Sequence, residues 1–145
     1  MRFAELSLLL GFAFRNYDKI IGGHMRITSF QEQVEDWLEA CFPRKVRSDR
    51  AERTHRFLEE ALELAQANGC SRDDAIALVN YVYDRPTGIP ALEAGGVMVT
   101  LAALCSASEI NMKDAGDREL KRNWERIETI RAKQAAKPHG SPLPE

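Results

Sequence analysis

Residues 49–69 read DRAERTHRFLEEALELAQANG, and this stretch decides the fold. Ser48 or Asp49 is a helix-opening residue, and Asn68-Gly69 is a helix stop. Between them Phe57, Ala61, Leu64 and Ala65 recur at helical spacing, so the stretch reads as one long amphipathic helix. A helix advances about 100° per residue, which places Glu60 and Glu63 about 60° apart and Glu59 about 40° from Glu63. Glu60 and Glu63 therefore border the apolar stripe, where freely solvated charges are not expected.

The same grammar extends in both directions. Upstream, Ser29 and Glu32 form a capping box. The helix it opens carries Phe30, Val34, Trp37, Leu38 and Cys41 inward, and Pro43 stops it. Downstream, Ser71 with Asp74 opens a helix whose inward positions are Ile76, Val79 and Val82. Residues 84–88, DRPTG, form a loop. Pro90 suits the first turn of a helix running to about Ala107. Asn111 with Asp114 opens a last helix with Leu120, Trp124, Ile127 and Ile130 on a three-to-four repeat, ended by Pro138. No strand alternation or internal repeat competes. The expectation is an all-α fold of four to five helices. Residues 1–25 read as an N-terminal extension, with an ordinary first helix as the alternative. Residues 26–137 form the helical domain, and residues 138–145 a flexible tail.

A chain of 145 residues with 44% hydrophobic and 29% charged residues can form one soluble domain. A formal net charge of -2 argues against a nucleic acid polymer as partner, because phosphate binding needs a basic surface. Cys41, Cys70 and Cys105 are scattered, with no zinc spacing, and read as reduced thiols of a cytoplasmic protein. Leu6 to Phe14 is too short to span a membrane. Pro86 to Ser108 is longer but rich in alanine and contains Gly95 and Gly96, so a buried core helix is the expected reading and no membrane partner is implied.

Glu93 sharpens the acidic reading. It shares a helix face with Val97, Leu101 and Leu104, and no other acid lies between Asp84 and Glu109. A buried carboxylate is costly unless it is paired or neutralised, so an Arg, a Lys or a metal ion should meet it. Carboxylates three apart on a helix can share a hard cation, and oxygen donors suit Mg²⁺ or Mn²⁺. The plainer alternative places Glu59 and Glu63 in water, with Arg56 pairing Glu59 or Glu60.

The string Glu59-Glu60-Ala61-Leu62-Glu63 followed by Glu93-Ala94-Gly95-Gly96 resembles the EExxE and ExxD motifs of the MazG-like all-α nucleoside triphosphate pyrophosphohydrolases. Residues 28–137 carry the resemblance, which is similar to the short bacterial and phage members. It implies a MazG-like helical bundle assembling as a homodimer or homotetramer. It implies Mg²⁺-dependent (or Mn²⁺-dependent) cleavage of a nucleoside triphosphate to a monophosphate and pyrophosphate, in a house-cleaning role. Metal ligands carry over to Glu60, Glu63 and Glu93, and Glu59 becomes a further ligand or a water-orienting base. Gly96 stands where the family has Asp and offers no side chain.

Arg53, Arg56, Asn123, Arg131 and Lys133 are the candidates to meet the triphosphate. Each has a plain alternative as a solvated surface group. Trp37 and Trp124 could stack on a base, but their spacing favours the core. His55 lies off the acid face. The alternative function is a catalytically degenerate nucleotide-binding protein or a structural helical protein, motivated by Gly96.

Overall fold

The computed structural model describes residues 28–138 together with Gly140, Pro142 and Leu143. The expected extension over residues 1–25 lies outside the described residues. Among the described residues there are seven helices and no strand, so the protein is all-α there. The helices are α1 (Phe30–Cys41), α2 (Arg44–Arg47), α3 (Arg50–Ala67), α4 (Arg72–Tyr83), α5 (Pro90–Ala107), α6 (Met112–Glu125) and α7 (Ile127–Ala136). The chain divides between Gln33 and Val34 into two units. In the first, Ser29 Oγ accepts the Glu32 N–H at 3.2 Å and the Glu32 carboxylate accepts the Ser29 N–H at 2.7 Å. This is the reciprocal capping box. Everything below concerns residues 34–143.

Local chemistry accounts for the helix ends. Asp49 Oδ1 accepts the Glu52 N–H at 3.1 Å and opens α3, while Ser48 Oγ instead donates to the Arg44 carbonyl. Ser71 and Asn111 cap α4 and α6 in the same way, each accepting from the N–H three residues on. Gly69 ends α3 at φ +85°, a left-handed conformation natural to glycine, and lets the Cys70 N–H reach the Ala65 carbonyl at 3.0 Å. Glu109 adopts the same hand at φ 55° after α5. The single helix expected from Asn111 to Pro138 is broken at Arg126, whose N–H turns back to the Asn123 carbonyl. The turn α2 after Pro43 is a further element beyond the expected five.

The core sits where the two ends of this unit meet. Cys41, Phe42, Cys105 and Leu120 are its buried apolar side chains. Trp37 packs edge-on against Phe42, with ring centroids 6.1 Å apart, and the Arg53 guanidinium lies 5.5 Å from the Phe42 centroid. Arg131 of α7 reaches the last carbonyls of α1, with Nε 2.9 Å from the Cys41 oxygen and Nη2 2.7 Å from the Ala40 oxygen. A cation at a helix C-terminus satisfies carbonyls left without an intrahelical partner and meets the negative end of the dipole.

A charged cluster completes this end. Glu52 is buried, and its Oε2 pairs with the Lys137 ammonium, whose side chain is equally removed from water. Glu52 Oε1 lies 3.5 Å from Arg56 Nε and 3.7 Å from Arg53 Nη2. Two buried charges offset their lost hydration only while they face each other.

The other end is different. No residue of α4 is buried, and of the eighteen in α5 only Cys105 is. The expectation of α5 as a buried core helix is not met among the described residues.

Replacing Lys137 with Met should strand the buried Glu52 charge. The expected loss is about 3 kcal/mol in chemical denaturation, at the low end for a broken buried pair because Arg53 and Arg56 remain. Adding Glu52→Gln to Lys137→Met should recover part of that loss.

Candidate functional site on the acidic helix

The acids of α3 part to two sides of the helix. Glu59 and Glu63, one turn apart, line a groove of about 440 Å³ between α3 and the start of α4. Its apolar lining comes from Leu58, Leu62, Ala65 and Ala75, with His55 at one end and Cys70 and Ser71 at the other. Pro142 and Leu143 of the tail also line it. Glu60 does not line this groove, and the charges of Glu119 and Arg122 on α6 act on it.

Glu60 is the electrostatically perturbed acid. Its carboxyl is held above the ordinary glutamate value of 4.5. Partial loss of hydration is the first cause, although the side chain still reaches solvent. Repulsion from Glu63, Glu119 and Glu59 follows in that order, and Arg122 opposes them. Arg122 is itself shared with Glu119, 2.8 Å away. Three carboxylates thus act on Glu60 around the middle of α3, with the Arg122 guanidinium against them. Glu119 was not among the residues expected from sequence, because it looks like an ordinary solvated position on α6. A helix-to-helix approach, invisible in spacing along either helix, makes it relevant.

The other expected residues are placed as follows. Glu93 is exposed, which corrects its expected burial on an apolar face: among the described residues no neighbour covers that face of α5. Its carboxylate folds back over Gly88, where a Cβ would collide with it. Glu59 pairs with Arg56 Nη1. Arg56 also donates from Nη2 to the Pro142 carbonyl at 2.9 Å. Arg53 is held between Glu52 and Phe42, and Arg131 between Glu128 and the α1 carbonyls. Three of the five groups expected to meet a triphosphate therefore have structural partners here. Lys133 is exposed on α7 and Asn123 is half-buried on α6.

Hard oxygen donors of the kind Mg²⁺ prefers are present. Yet no three His, Cys, Asp or Glu side chains among the described residues converge as a set that could hold a metal ion. Glu60 and Glu63 lie within electrostatic reach of each other, Glu93 does not join them, and Gly96 adds nothing. The described residues by themselves do not fit the metal. The cysteines offer no alternative chemistry. Burial pushes the Cys41 thiol up, against the lowering influence of Arg131 and Arg53, and leaves it an inert core group.

No family model, curated protein or solved structure matches this chain.

Because the folded-state value of Glu60 is raised, its contribution to stability is present while it is protonated and is lost as pH rises through that value. Glu60→Gln should therefore gain melting temperature relative to wild type as pH goes from about 4 to about 8. A difference between the two proteins that stays constant with pH would contradict charge crowding at this position.

Proposed function

We propose that the protein is a divalent-metal-dependent nucleoside triphosphate pyrophosphohydrolase of MazG-like type, acting as an assembly of at least two copies. The observation that carries this reading is the acidic surrounding of Glu60, on which Glu63, Glu119 and Glu59 all act at the middle of α3. The repulsion that remains on Glu60 after Arg122 is what a bound dication would relieve, and sites of this kind are where perturbed carboxyls concentrate. The groove beside Glu59 and Glu63 is of a size that takes small ligands, with an apolar lining and few polar groups.

In the reaction, water adds to phosphorus at the bridge between the α- and β-phosphates. The bridging P–O bond breaks, and a nucleoside monophosphate and pyrophosphate leave. Glu59, which lines the groove, is the carboxylate that would accept the proton of that water, while Lys133 is an exposed basic group available to phosphate charge. The incomplete set of oxygen donors among the described residues is the reason the reading includes an assembly.

A second reading has its own observation. Gly96 has no side chain, and Arg53, Arg56 and Arg131 are committed to internal partners, which favours a nucleotide-binding or structural helical protein without turnover. Pyrophosphate release decides between them. The enzyme reading expects Mg²⁺-stimulated release from at least one member of a panel of ribo- and deoxyribonucleoside triphosphates. The rate should be abolished by chelator and should fall at least about 100-fold in Glu60→Gln, as loss of a required charged group does. Thermal stabilisation by nucleotide with no release would establish the second reading.

A further inference from the structure

We infer that Pro142 and Leu143 form a strap at the groove beside Glu59, and that this strap competes with the triphosphate for Arg56. The inference rests on the proposed function, since the ligand it excludes is the nucleotide of that reading.

Three contacts lay the end of the chain along α3. Lys137 is fixed at the buried Glu52. Five positions later the Pro142 carbonyl accepts from Arg56 Nη2 at 2.9 Å. Pro142 and Leu143 then line the groove together with Leu58, Glu59 and Leu62. Residues 52, 56 and 59 follow one another at intervals of four and three, so these anchors share one side of the helix. The chain end therefore passes Arg56 before it meets the groove.

Arg56 is the shared group. Its Nη1 pairs with Glu59, and its Nη2 is taken by the Pro142 carbonyl. A peptide carbonyl is a neutral acceptor. A phosphoryl oxygen is charged, and a guanidinium can grip phosphate with two parallel hydrogen bonds, which is the stronger arrangement. The triphosphate is thus the better partner for the donor that the strap occupies, and the two cannot hold it together. The sequence assigns Arg56 to a triphosphate, whereas the structure gives its Nη2 a carbonyl oxygen. The strap reconciles these: the carbonyl keeps the place that phosphate takes.

The contact suits repeated release and return. Leu143 lines the groove yet is 64% exposed, so its departure uncovers little apolar surface. Lys137 stays fixed when the strap leaves, and so short a tether keeps Pro142 near Arg56 at an effective concentration of about millimolar. The fixed φ of Pro142 limits the freedom lost on docking. A contact too weak to last between separate molecules therefore closes often within one chain.

The same two residues could instead form a permanent wall that grips the ligand, and the sign of the effect of disturbing them separates the two roles. The test is calorimetric titration of the full-length chain with an α,β-methylene nucleoside triphosphate and Mg²⁺. Wild type is compared with Leu143→Asp and with the double variant Pro142→Gly, Leu143→Ser. Both should bind about tenfold tighter, the gain expected when a strap closed about nine-tenths of the time is removed. Leu143→Asp adds a negative charge beside Glu59 and the triphosphate, so tighter binding in that variant comes from release alone. Both changes lie beyond Lys137 and leave its pair with Glu52 in place, so both variants should melt with the wild type. The double variant, which adds no charge, decides if the two disagree. Weaker binding in it makes the tail a wall and overturns the inference, as does unchanged binding. Both of those results leave the proposed function standing. Binding by neither wild type nor variants overturns the proposed function and the inference with it.

Discussion

The carboxylate of Glu52 is the constraint on which this end of the protein depends. It lies in the first turn of α3, where an acid favours the helix dipole, and it is taken out of water. Once buried it must be met by cations. Lys137 supplies one from beyond the end of α7, and Arg53 and Arg56 supply two from its own helix. Bringing Lys137 to Glu52 carries α7 past the end of α1, where Arg131 caps the carbonyls of Ala40 and Cys41. One buried charge thus ties the last helix to the first half of α3. The apolar core around Phe42 and Leu120 is too small to do so alone.

This arrangement divides α3 into two halves with opposite electrostatics. In the first half every acid has a cation: Glu52 has three, and Glu59 is met by Arg56. In the second half Glu60 feels the charges of Glu63 and Glu119, and Arg122 opposes them. On the proposed reading, the first half is scaffold and the second is the place for a cation with a triphosphate. Residues that look alike on a helical wheel therefore do different work. Arg53 and Arg56 point along the acid face in sequence, yet in three dimensions they belong to the scaffold.

The helices were legible in the sequence because their ends are written locally. Ser29 with Glu32, Ser71 with Asp74, Asn111 with Asp114, and Asn68-Gly69 act within four residues, and each sits where the pattern expected it. What depends on distant residues was not legible. Glu52 looks like any first-turn acid until Lys137, 85 positions away, arrives beside it. Glu119 matters only because α6 approaches α3. Glu93 was expected to be buried because its neighbours on α5 are apolar, and that logic presumes a cover which the described residues do not provide. The same missing cover explains why α5 departs from its expected place in the core.

The central claim is that the acidic face of α3 holds a divalent cation together with a nucleoside triphosphate. Calorimetric titration with an α,β-methylene nucleoside triphosphate, which cannot be cut at the bridging position, isolates this claim from turnover. The account predicts binding that requires Mg²⁺ or Mn²⁺ and is lost in Glu60→Gln and in Glu63→Gln. Binding that is equally strong without metal, or is unchanged in both variants, would contradict it.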